Sequence, residues 1–97
     1  MRIVKWSGRA KTDFVDILGY LYQHWSDREA QYFIDSIRKL TGILEKGDVE
    51  FRKTNKRLHV AVASKHVSVY YQIHSSKRVE IIRVWDNRQK PSKLYKL

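Results

Sequence analysis

The sequence predicts an α+β fold in the order β-α-α-β-β-β, with a helical hairpin packed on one face of a mainly antiparallel sheet of about four strands. Three observations carry this. Apolar residues recur at steps of three and four from Ala10 to Leu44, then switch to alternation after Gly47. A capping motif at Ser26 to Glu29 divides the helical stretch in two. A short run of β-branched and aromatic residues, Met1 to Trp6, ends at Ser7-Gly8 and reads as a first strand followed by a break.

The first helix is read from Ala10, Phe14, Ile17, Leu18, Leu21, Tyr22 and Trp25, which fall on one stripe. Gly19 inside it costs about 1 kcal/mol relative to Ala unless a packed neighbour needs the space. In Ser26-Asp27-Arg28-Glu29 the Ser26 hydroxyl accepts from the Glu29 backbone N–H, and the Glu29 carboxylate is expected to reach back to the Ser26 N–H. The second helix follows with the stripe Ala30, Phe33, Ile34, Ile37, Leu40 and Leu44, and Gly47 is placed to end it in a left-handed cap. With almost no linker between them, the two helices must run antiparallel.

Beyond Gly47 the period is two. Leu58, Val60 and Val62 alternate with Arg57, His59 and Ala61, and Val67, Val69, Tyr71 and Ile73 alternate with Ser68, Tyr70, Gln72 and His74. Ser64-Lys65-His66 and Ser75-Ser76-Lys77 are turn-like, and Val79 to Trp85 is a third β-rich run, which completes an antiparallel meander. The tail from Asp86 to Leu97 is polar, holds the one proline, Pro91, and has no clear period.

Ninety-seven residues suffice for one core, so the chain is expected to be a single domain over residues 1–97. It carries 20 Lys+Arg against 10 Asp+Glu, a formal charge of +10, and the excess is unevenly placed. Residues 1–48 hold 8 basic and 7 acidic side chains, residues 49–97 hold 12 and 3. Such an excess favours an acidic partner and directs attention to the C-terminal half. The chain has no cysteine, which excludes disulfides, thiolate metal cages and a thiol nucleophile and fits a reducing compartment. The first residues lack an apolar signal core and no apolar run reaches membrane-spanning length, so the expectation is a cytoplasmic protein with no membrane partner.

If Leu58, Val60, Val62, Val67, Val69, Tyr71 and Ile73 face the helices, the opposite parity leaves Arg57, His59, Ser68, Tyr70, Gln72 and His74 on an open face. Arg83 and Trp85 are assigned to that face because this puts Ile82 and Val84 in the core. Cations would hold phosphates there while rings stack on bases, which makes Arg57, Lys65, Tyr70, Arg83, Trp85 and Lys90 the candidate nucleic-acid contacts. Histidine spacing matches no usual metal site and no nucleotide-binding or nucleophile-elbow motif is present, so no metal or cofactor is expected. RNA cleavage needs neither: a base takes the 2′-hydroxyl proton, an acid protonates the leaving oxygen, and cations stabilise the charge on phosphorus. His66, Tyr70, Arg88 and Tyr95 have the required chemistry. Each also has an ordinary role, as turn residue, strand aromatic, solvated charge and terminal anchor respectively.

The whole pattern resembles the RelE/ParE superfamily of bacterial toxins, also described as plasmid-stabilisation proteins. The resemblance rests on the element order, on Ala10, Asp13, Ile17 and Tyr20 and on Ala30, Ile34 and Leu40 in the helices, on Val69-Tyr70-Tyr71-Gln72-Ile73 followed by Val79-Glu80-Ile81-Ile82-Arg83-Val84, and on Val84-Trp85-Asp86-Asn87-Arg88-Gln89 at the last strand end. It implies a type II toxin partnered by a small antitoxin whose acidic or amphipathic segment wraps and neutralises it. Members similar to the RelE branch cut ribosome-bound messenger RNA; members similar to the ParE branch poison DNA gyrase. Aligned on Tyr71-Gln72-Ile73, the RelE-type arginine falls on Ser68 and the two lysines on His59 and Ala61, while Arg88 matches the basic strand-end residue and Tyr95 approximates the tail tyrosine. His59 is then the candidate substitute acid or base. The leading expectation is translation inhibition by metal-independent mRNA cleavage through His59, His66, Arg88 and Tyr95. A gyrase-directed toxin and a non-toxic RNA-binding module are the alternatives.

Overall fold

A computed structural model of the chain describes residues 1–54 and 57–88. Tyr95 and Lys90, both singled out above, lie outside the described residues. The elements follow in the expected order: β1 (Ile3–Trp6), α1 (Gly8–His24), α2 (Asp27–Lys46), β2 (His59–Val62), β3 (Val67–Ser75) and β4 (Arg78–Asp86). The sheet order is β1-β4-β3-β2, with β1 parallel to β4 and the other neighbours antiparallel. Among the described residues no helix is long and apolar enough to cross a membrane.

Ser7 starts α1: its hydroxyl oxygen accepts from the Ala10 N–H at 3.0 Å and its O–H donates to the Ile82 carbonyl at 2.9 Å, tying the helix start to β4. Ala10, Ile17 and Leu21 are buried as their spacing requires, whereas Tyr22 and Trp25, expected on the same stripe, are half exposed. Trp25 stands at the C-cap, where the backbone has left helical geometry, so helical spacing no longer governs it. Ser26 caps α2 through the Glu29 N–H at 3.1 Å, and Gly47 ends it with φ 76°. The second half of the expected capping box is different: the Glu29 carboxylate binds Arg88. Ala30, Phe33, Ile37, Leu40 and Leu44 then join Ile17 and Leu21 against Val67, Val69, Tyr71, Val79, Ile81 and Val84 to form the core. Each such large side chain contributes about 1.5–3 kcal/mol on burial.

Two strand faces differ from the alternation read above. In β2, His59 pairs with Tyr71 and Ala61 with Val69, so His59 and Ala61 share the helix-facing side and are buried. Val62, expected inside, is 68% exposed. Register with β3 decides this short strand, since a one-residue shift turns every side chain over.

In β4, Tyr70 pairs with Arg83 but Tyr71 with Ile81, leaving Ile82 as an extra, bulged residue. The core positions are therefore Ile81 and Val84, and Ile82 is only half-buried. Arg83 is buried, not open: its Nε and Nη2 donate to the two Asp13 carboxylate oxygens at 2.7 and 3.1 Å. Asp13 also accepts from the Val84 N–H at 3.0 Å, so one carboxylate holds the bulge against α1. Trp85 is buried as well, 4% exposed, and offers no stacking surface.

Candidate functional site

Three regions could carry function, and each is built by a local feature of the chain. At the C-terminal end of β4, Asp86 is fully buried. Its Oδ1 accepts from the Arg88 N–H at 2.8 Å and from Nε at 2.9 Å, and its Oδ2 from Nη2 at 2.7 Å. Nη1 donates to Glu29 at 3.1 Å, and the guanidinium carbon stands 4.9 Å from the Trp25 ring centroid. The Asp86 hydrogen bonds raise the Arg88 pKa further above its ordinary value, against the opposing effect of burial. Arg88 is thus a clamp between β4, the inter-helix turn and the first turn of α2. His66 lies at this same end, its carbonyl accepting from the Asn87 N–H at 2.7 Å, and Lys65 is exposed beside it.

His59 belongs to the other end of the sheet. Its ring stacks on Tyr71, with centroids 5.0 Å apart, and Nδ1 lies 2.8 Å from the Phe51 carbonyl. A carbonyl only accepts, so Nδ1 carries the proton and Nε2 faces the Glu50 carboxylate at 3.9 Å. The Tyr71 hydroxyl accepts from the Phe51 N–H at 3.0 Å, and burial pushes the Tyr71 phenol above its ordinary pKa of 10.0. These contacts dock residues 50–54 along the outer edge of β2, where Val60 N–H donates to the Arg52 carbonyl and Thr54 N–H to that of Leu58. Along the strand, His66 lies five residues before Tyr71, the partner of His59, which separates them by roughly 16 Å at about 3.3 Å per residue. The structure does not bring the two candidate imidazoles together.

The docked segment opens a mainly polar cleft of about 400 Å³ lined by Glu50, Lys53, Arg57, His59, Gln72, Ile73 and His74. A second cleft of about 300 Å³, lined by Lys5, Trp6, His74, Arg78 and Glu80, adjoins it. His74 is common to both. It is the second irregular position of the sheet, skipped between the Ile73–Val79 and Ser75–Arg78 pairs, and a bulge re-aims such a side chain. Its Nε2 lies 2.9 Å from Glu80. Of the expected open-face set, Arg57, Gln72 and His74 converge here, whereas Ser68 and Tyr70 are half-buried further along β3. Among the described residues no group of three His, Asp or Glu side chains could hold a metal.

The third region is an apolar groove of about 580 Å³ between the hairpin and β1. Trp6, Phe14, Val15, Ile34 and Ile37 line it, with Lys11, Arg38 and Glu45 as its charged residues. Trp6 and Phe14 pack edge to face at 5.8 Å, and Phe14 stacks on Phe33 beneath. Sequence reasoning missed this groove. The available signal was Val15, an apolar residue off the core stripe of α1 and 65% exposed.

The sequence model described as "ParE toxin of type II toxin-antitoxin system, parDE" matches residues 4–91. No curated protein matches the chain. Among solved structures, the chromosomal ParDE toxin–antitoxin system from P. aeruginosa aligns with TM-score 0.72 and 16% identity over 89% of this chain and 96% of that chain. The E. coli DinJ–YafQ complex aligns with TM-score 0.60 and 12% identity over 91% and 96%. At these identities the likeness is one of fold.

Proposed function

The chain belongs to the ParE toxin family of type II toxin–antitoxin systems, and from that premise we propose that it arrests growth by binding DNA gyrase rather than by cutting messenger RNA. One observation supports this choice above all: two of the side chains named for cleavage are already engaged in the fold. Arg88 is bound to Asp86 and Glu29, and His59 to Phe51 and Tyr71, while Arg83, named as a phosphate contact, is bound to Asp13. A phosphoryl-transfer site needs cations with donors open to the phosphorane and an acid and a base within reach of the same scissile group. The clamped guanidinium groups and the separation of His59 from His66 argue against both requirements. A poison that works by occupancy needs only complementary surface.

The antitoxin partner is assigned to the apolar groove. An amphipathic segment laying an apolar face on Trp6, Phe14 and Val15, with acidic residues toward Lys11 and Arg38, fits its walls and charge. The deciding experiment has two arms with the purified toxin. Gyrase supercoiling should be inhibited with accumulation of cleaved DNA, and ribosome-bound mRNA mapped by primer extension should stay intact. Discrete mRNA cuts with gyrase unaffected would install the cleavage reading instead, and normal growth on overexpression would point to a non-toxic module.

A further inference from the structure

We infer that residues 50–54 form a hinged strap over the outer edge of β2, latched at Phe51 by the His59–Tyr71 pair, and that the strap opens as one unit while the core stays folded. The inference concerns a motion of this chain alone and does not depend on which target the toxin has.

Phe51 lies outside the strands of the sheet, so its backbone groups need partners from elsewhere. Two side chains supply them. The Tyr71 hydroxyl accepts from the Phe51 N–H at 3.0 Å, and His59 Nδ1 donates to the Phe51 carbonyl at 2.8 Å. His59 and Tyr71 are register partners on adjacent strands and stack at 5.0 Å, so the latch is one cross-strand unit. The Phe51 ring closes on it edge to face, 6.4 Å from the Tyr71 ring. The Arg52 carbonyl, which accepts from the Val60 N–H at 2.9 Å, is one peptide further on, so release of Phe51 releases Val60 as well.

The rest of the strap is lightly held. Glu50, Arg52, Lys53 and Thr54 are exposed, and Phe51 is half-buried. Gly47, with φ 76°, ends α2 three residues before Glu50, and at the other end the Thr54 N–H turns back onto the Leu58 carbonyl at 2.8 Å. The segment can swing about these two ends. Each neutral hydrogen bond shifts an equilibrium only about two- to twelve-fold, so a segment held by a few of them and one half-buried ring opens far more often than the whole domain unfolds. The core beneath stays closed, because Tyr71 packs there with both helices and the central strands. Opening takes Glu50 and Lys53 out of the wall of the 400 Å³ cleft and bares the edge of β2, so the cleft belongs to the closed form.

The test is native-state hydrogen exchange of the full-length chain, followed by NMR across a urea series below the unfolding transition. The reporters are the amides of Phe51 and Val60, one bound to a side chain of β3 and the other to the strap itself. Both should exchange with a common opening constant at least about a hundred-fold above that of Leu21 and Leu40, buried in α1 and α2, and with almost no urea dependence. Tyr71→Phe removes one acceptor and should raise the opening constant of both reporters by the same factor, about five- to a hundred-fold. Phe51→Ala takes away only the half-buried ring and should also raise both together, which keeps the test decisive if Tyr71→Phe does not fold. Val62→Thr, at the exposed end of β2, should leave both unchanged. Exchange of the two reporters at the rate and urea dependence of Leu21 and Leu40 would overturn the inference. Acceleration of Phe51 without Val60 in the Tyr71→Phe variant would overturn it too, since the strap would then fray residue by residue.

Discussion

Replacing Asp13 by alanine is expected to destabilise the fold strongly, and the magnitude follows from its partners. The carboxylate accepts from Arg83 Nε and Nη2 and from the Val84 N–H, and both Asp13 and Arg83 are less than a tenth exposed. Alanine leaves a guanidinium buried without its counter-charge, which costs about 3–5 kcal/mol, and orphans a backbone donor. For a domain of this size 1 kcal/mol shifts Tm by about 4–8 °C, so the loss is at least about 12 °C and a large share of the total stability. The double change Asp13→Leu with Arg83→Met removes both charges and should recover most of that loss, leaving about 1–3 kcal/mol for the unpaired Val84 N–H. Urea melts followed by circular dichroism would measure both. A single-variant loss under about 1 kcal/mol, or a double variant no better than Asp13→Ala, would refute the argument that this pair pins the bulge to α1.

Three further outcomes are expected. Gly19→Ala should stabilise the chain by about 0.8–1 kcal/mol, because an added Cβ meets nothing within 4 Å in mid-helix; a lower Tm would show that the glycine is needed for something else. Val15→Glu should leave the melting curve within about 0.5 kcal/mol yet weaken the cognate antitoxin at least about ten-fold in calorimetry, with growth arrest retained when the toxin is expressed alone. Tyr71 should resist ionisation. Its folded pKa is raised above the unfolded value, so the associated stability is complete below pH 10 and is lost as pH rises through the folded pKa. Absorbance at 295 nm should show Tyr71, identified by comparison with Tyr71→Phe, ionising only together with loss of the circular dichroism signal, and its ionisation in the intact fold would contradict this.

Element order, both caps of α2 and most of the core stripes of α1 and α2 were legible in the sequence because each is a local pattern: Ser26 three residues before Glu29, Gly47 after Leu44, Ile17 four before Leu21. The sheet faces were legible only where alternation is uninterrupted, as from Val67 to Tyr71. Bulges at Ile82 and His74 leave no mark in composition, and each changes which way its neighbours point. His59 carried a second ambiguity. Its polarity argued for solvent, but the Phe51 carbonyl and the Tyr71 ring, eight and twelve residues away in the chain, supply what burial requires. The partners of Arg88 and Arg83 are likewise non-local, 59 and 70 residues distant for Glu29 and Asp13.

Those long-range pairs change what the charge distribution means. The near-neutral helical half lends Asp13 and Glu29 to the basic half, so two of the arginines that make the C-terminal sequence so cationic are internal fasteners. An arginine whose donors are already directed at carboxylates adds little to phosphate affinity, because binding a new anion would require breaking a charge-assisted bond of similar strength. Affinity for an acidic partner must then come from cations outside these pairs, such as the exposed Lys5, Lys53 and Arg78. The same pairing separates binding from cleavage: charge held in reserve on a surface can steer and hold a partner, while charge fixed in the fold cannot follow the charge that develops on a reacting phosphate.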